Sequence, residues 1–152
     1  MAYSSLVVAN AFLDLAKAEN KDLTNMQVQK LVYIAHGYAL ALLDRPLTYH
    51  NVHAWQWGPV MPRLYKKLSK YGAGIVSEHI PCEEPSVEKD SEEYSVIKGV
   101  WQAYGDFTGA KLSGITHQPH TPWSVTWETA PYGIISEDVI REHYKGLVPH
   151  GK

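Results

Sequence analysis

The sequence predicts a mainly α-helical fold, a single compact helical domain with a small antiparallel β element around residues 46–60 and 74–80. Three observations predict it. Apolar residues recur at helical spacing in successive windows. Several of those windows open on a Ser or Thr placed to cap a helix. Between them lies PLTYHNVHAWQWGPVMP, an aromatic stretch broken by Gly58-Pro59 and Pro62 that reads as short extended segments. At 152 residues the chain is long enough to bury one real core, and no linker or repeat divides it.

The first helix starts after Ser4 or Ser5, with Val8, Phe12, Leu15 and Ala16 inward, and ends at Asn20 and Lys21. The second has the clearest start. Thr24 and Gln27 form a capping box, flanked by the Leu23–Val28 staple. Val28, Leu31, Val32, Ala35, Ala39 and Leu42 then draw an apolar stripe, widened by Tyr38 and Leu43, until Arg45-Pro46 stops it. Leu47, Tyr49, Val52, Trp55 and Trp57 suit a small hairpin. Of the two tryptophans, one ring is expected in the core and the other exposed.

Pro62 suits the first turn of a third helix, which ends at Gly72. It turns Leu64, Leu68 and Tyr71 inward and a basic stripe, Arg63, Lys66, Lys67 and Lys70, outward. Residues 73–80 suit one short strand, and the acidic PCEEPSVEKDSEE a loop entering a fourth helix. That helix buries Tyr94, Ile97, Trp101 and Tyr104 and closes at Gly105. Thr108 caps a short helix carrying Leu112 and Ile115, and Thr121-Pro122 starts another. Ser136 caps the last, with an Ile135–Ile140 staple and Val139, His143, Tyr144 and Leu147 inner or partly inner. Residues 149–152 are expected to fray.

Composition excludes some functions. A formal net charge of −2 argues against general nucleic-acid binding. The only cysteine, Cys82, allows no internal disulfide, so a reducing cytoplasm is the expected compartment. No stretch reads as a signal peptide or a membrane span. Cys82 lies among carboxylates that discourage a thiolate, and reads as a small loop residue. Nucleophile elbows, phosphate-binding loops and zinc motifs are absent, so no enzyme activity, catalytic residue, cofactor or metal is expected. The stretch ITHQPHTPW does hold the close pair His117 and His120. Pro119 between them removes a shared helical face, which leaves a metal-dependent hydrolase as the weaker alternative. Two loop regions rich in proline-held aromatics, 54–62 and 116–127, suit a binding surface instead.

Four segments resemble the Panacea domain family, also called SocA-like or GepA-like: TNMQVQKLVYIAHGYALAL, RPLTYHNVHAWQWGPVMPRLYKKLSKYG, VWQAYGDFTGAKLSGITHQPHTPW and ISEDVIREHY. The resemblance implies a cytoplasmic, often phage- or prophage-encoded antitoxin of a type II toxin–antitoxin system. Such a protein neutralises by direct binding the toxin of an adjacent gene. One branch of the family delivers its toxin to a AAA+ protease as a proteolytic adaptor. A phage protein with a host target is the alternative within the binding class. One domain over residues 1–152 is expected, with no separate DNA-binding domain, and no residue pattern sets an oligomeric state. Trp55, Trp57, Gly58, Pro59 and Tyr65 shape one family segment, and Thr116, His117, Pro122 and Trp123 the other. With Arg63, Lys66, Lys67 and Lys70 these are the candidate partner-binding residues. His117 is expected to be tied by a hydrogen bond within the fold. His36 stands where relatives usually carry glutamine; were it at a partner contact, specificity would differ.

Overall fold

Helix α2 (Asn25–Leu43) is the axis of the molecule, which a computed structural model describes over residues 2–148. The capping box at its start forms as expected: Thr24 Oγ1 accepts from the Gln27 amide, and the Thr24 amide donates to Gln27 Oε1 at 2.8 Å. Beyond the predicted stripe, Tyr33, Ile34, Gly37 and Leu40 on the opposite side are also buried. A helix apolar all round needs neighbours all round. It has them in α1 (Ser5–Ala18), α4 (Glu92–Tyr104), α5 (Gly109–Thr116) and α7 (Glu137–Leu147). Each fully buried Leu, Ile or Val contributes roughly 1.5–3 kcal/mol of gross burial energy.

The other helices start where their caps are. Ser4, Ser91, Thr108, Thr121 and Ser136 each accept a backbone N–H with their side-chain oxygen. Pro122 then opens α6 (Pro122–Thr129). Helix α2 ends in a left-handed Asp44, and a 3-10 turn, Ser69–Tyr71, extends α3 (Pro62–Leu68) to Gly72. Two residues expected inside lie outside: Leu42 is 54% and Leu147 51% exposed. Both stand in the last turns of their helices, where they flank an apolar groove between α2, α4 and α7.

The β element is a hairpin of β1 (His53–Trp55) and β2 (Gly58–Val60), in register His53↔Val60 and Trp55↔Gly58. The expected strand at 74–80 does not form. Ile75 makes an isolated bridge to Thr24, and the backbone bonds are Asn25 N to Gly74 O and Val76 N to Leu23 O. Val76 and Ile80 are buried but Ser77, Glu78 and His79 between them are all exposed, so position 78 breaks the two-residue alternation that a sheet face would use. Residues 132–135 instead run beside β1, through Tyr132 N to Ala54 O, Ala54 N to Gly133 O and Ile135 N to Val52 O. The expected fraying of 149–152 lies outside the described residues.

His36 is 1% exposed, so it is not at a partner contact. Its Nδ1 accepts the Thr48 amide at 3.4 Å, and burial lowers its pKa to about 4. A lowered pKa means that the unfolded chain takes up the proton first as pH falls. The stability held above pH 6.5 is therefore lost progressively towards pH 4. By pH 5 the loss from this group is about 2 kcal/mol. Urea titrations at pH 7 and pH 5 test this: His36→Gln, which keeps an acceptor for Thr48, should lose about 2 kcal/mol less than the parent. Equal losses in the two proteins would refute it.

Candidate interaction face

The hairpin turn presents the most exposed tryptophan. Trp57 is 70% exposed, as expected of one of the two rings, but Trp55 is half-buried and stands outside the core that was expected to hold it. The difference between the two comes from the turn at Gln56-Trp57, since residues two apart on a strand share a face. Gly58 closes that turn at φ +125°, a conformation that side chains other than glycine's rarely adopt. A Cβ there would also lie 2.9 Å from Lys30 Nζ.

Lys30 supports the hairpin from beneath. It is 3% exposed, donates to the Pro59 carbonyl at 3.1 Å, and has its pKa lowered by burial to about 8. His117 also abuts Gly58, its Cβ 3.7 Å from the position a Gly58 Cβ would take. Its Nδ1 donates to the Ser113 carbonyl at 2.5 Å, the tie within the fold that was expected. Thr116 Oγ1 donates to the Leu112 carbonyl at 2.9 Å and finishes the same helix turn.

From His117 a run of ring contacts crosses the surface. The His117 ring meets Trp123 edge-on at 5.3 Å. Trp123 stacks on Trp127 at 5.8 Å, and Trp127 meets Tyr132 edge-on at 5.2 Å. The Trp123 indole N–H donates to the Trp55 carbonyl at 2.5 Å, and the Trp55 ring meets Tyr65 at 5.0 Å. His53 Nδ1 bonds the Tyr132 carbonyl at 3.1 Å and so ties the far end to β1. Tyr65, Tyr132 and Ile134 are 43%, 55% and 57% exposed. Loops carrying such rings are locked to the scaffold, so little conformational freedom remains to be lost on binding.

The predicted residues therefore divide. Trp55, Trp57, Tyr65, His117 and Trp123 gather on or beside this face. Gly58, Pro59, Thr116 and Pro122 are buried and shape it from below. Arg63, Lys66, Lys67 and Lys70 lie elsewhere, along a separate groove. Trp127 closes the predicted 116–127 loop without having been singled out, whereas Tyr132, Ile134 and Lys30 lie outside both predicted regions. His120 is exposed, with a left-handed backbone at φ 69°. Among the described residues no three His, Cys, Asp or Glu side chains stand close enough together to hold a metal ion. No helix among them is long and apolar enough to cross a membrane.

Residues 28–124 match the family described as antitoxin SocA-like, Panacea domain. The chain is 31% identical over 129 residues to Antitoxin SocA of Caulobacter vibrioides (strain NA1000 / CB15N), an alignment covering 78% of this chain and 67% of the relative. No solved structure matches it. The match spans the central helix, the tryptophan hairpin and the His117–Trp123 turn, and on it the chain belongs to the SocA-like antitoxin family with the Panacea domain.

Proposed function

We propose that this protein is an antitoxin that neutralises a toxin protein by binding it directly, with the face formed by Trp57, Tyr65, Trp123, Trp127 and Tyr132 as the contact surface. The observation that carries the reading is the family match over residues 28–124, which takes in Trp57, Tyr65 and Trp123; Trp127 and Tyr132, just beyond it, extend the same face by ring contact. Exposed tryptophan and tyrosine on a rigid frame are the residues that most often dominate protein–protein affinity. The partner-facing chemistry is apolar and aromatic, with hydroxyl and indole groups to orient the complex.

Co-expression tests it. The gene adjacent to this one, expressed alone, should arrest growth, and this protein should restore it. Absence of any neighbouring toxic gene rescued by this protein would end the antitoxin reading. Toxin abundance in the rescued cells separates two mechanisms. Unchanged toxin in a stable complex means sequestration, and toxin that disappears only when a AAA+ protease is present means delivery for degradation.

A further inference from the structure

The basic groove is a second, distinct surface, and nothing above uses it. Helix α3 buries Leu64 and Leu68 and so directs Arg63, Lys66, Lys67 and Lys70 outward. They line a cavity of about 620 Å³ whose opposite wall is the extended segment through Ile80 and Pro81. That wall is pinned, because the Asn10 side chain donates to the Ile80 carbonyl at 2.9 Å and accepts the Ile80 amide at 2.8 Å. The groove therefore exists before anything binds in it.

Among the described residues no carboxylate lines it. Arg45 bonds Glu92 and Glu93, and Arg141 bonds Asp44 and Asp138. Arg63, the third arginine, has no carboxylate partner among the described residues, and neither have Lys66, Lys67 and Lys70. Lys70 rests over the Tyr71 ring, 5.3 Å from its centroid. His79 at the rim is held by Asp14 at 2.6 Å. Four unneutralised cations gathered on a chain of net charge −2 leave a positive recess on a slightly negative molecule.

We infer that this groove docks an extended acidic segment of a protein partner. From Arg63 to Lys70 the helical rise covers roughly 11 Å, the length of about three to four residues of extended chain. The Ile80–Pro81 wall suits apolar side chains alternating with the acidic ones. A polynucleotide fits less well, since the two aromatic rings of the groove are engaged, Tyr71 under Lys70 and His79 on Asp14, and the overall charge repels a long polyanion. The inference uses the antitoxin reading only in making the ligand a protein.

The test needs no toxin. A fluorescein-labelled hexaglutamate peptide and a six-nucleotide thymidine oligonucleotide are titrated with the full chain, followed by anisotropy. The peptide should bind, and should weaken roughly fivefold as ionic strength rises from about 0.05 to about 0.3 M. Arg63→Glu/Lys67→Glu/Lys70→Glu should weaken it at least about tenfold. Lys17→Glu/Lys98→Glu/Lys145→Glu, which makes the same change in net charge on other surfaces, should leave it within about threefold. Three results would each overturn the inference: no peptide binding, equal loss in the two triple variants, or an oligonucleotide bound as tightly as the peptide. A failed rescue in co-expression would leave the peptide result standing, so the two readings fail separately.

Discussion

Gly37→Ala should destabilise the protein by about 3 kcal/mol, at the upper end of the cost of overpacking. An added Cβ would lie 2.3 Å from Cδ2 and Cε2 of Tyr144, closer than real contacts permit. The ring has nowhere to go. Tyr144 is 4% exposed and packs edge-on against Tyr33 at 6.1 Å and Tyr38 at 4.9 Å. The contact lies between α2 and α7, so relief requires those helices to part. For a chain of this length the expected fall in melting temperature is roughly 6–12 °C. Gly99→Ala is the contrast. It lies mid-helix in α4 with nothing within 4 Å of the added Cβ, so it should stabilise by roughly 0.5–1 kcal/mol. A Gly37→Ala protein within about 0.5 kcal/mol of the parent would mean that α7 does not sit on α2 as described.

That contact also shows what the sequence left unread. The predicted stripe of α2, positions 28, 31, 32, 35, 39 and 42 widened by 38 and 43, placed the helix centrally in the core, as it is, but left its other side unassigned. Tyr33, Ile34, Gly37 and Leu40 on that side already said that the helix had no wet face. Followed through, this predicts that Lys30 is buried, although a lysine taken alone reads as solvated. Capping chemistry was the most legible feature, because a cap is a local event between residues two or three apart. The 74–80 segment was the least legible. Its apolar content is real, but pairing depends on what lies alongside, and α2 offers it one bridge at Thr24 instead of a strand.

The face was half legible for the same reason. Trp55, Trp57 and Trp123 lie in proline-marked loops, and proline signals are local. Tyr132 and Ile134 lie in PYGII, which carries no motif; they join the face because residues 132–135 add themselves to β1. His117 and His120 looked alike as a pair and are not. The first closes α5 through Ser113 and abuts Trp123, while the second is exposed in a turn. Lysines 66, 67 and 70 were counted among the candidate partner-binding residues as a basic stripe, an electrostatic contact, with no sign of which side of the molecule they shared. Each residue turns about 100° round the helix, which carries Lys66, Lys67 and Lys70 away from the side of Tyr65, the residue that faces Trp55.

Trp57→Ala/Tyr132→Ala should weaken binding of the neutralised toxin by two to three orders of magnitude, taking about 2 kcal/mol for each ring. Calorimetry on the purified pair measures it. Neither ring is needed for folding. Trp57 is 70% and Tyr132 55% exposed, so the double variant should keep its stability to within about 1 kcal/mol. Trp123→Phe separates contact from framework. It keeps a ring against Trp127 but removes the indole donor from the Trp55 carbonyl, and so frees the hairpin from α6. A group held in place by one hydrogen bond contributes about 1 kcal/mol, so stability and affinity should fall together by about that much. Loss of affinity without loss of stability is thus the signature of a contact residue, and joint loss that of a residue shaping the face. If the double variant bound as tightly as the parent while Trp123→Phe lost only stability, the toxin would meet another surface, and the basic groove would become the first place to look.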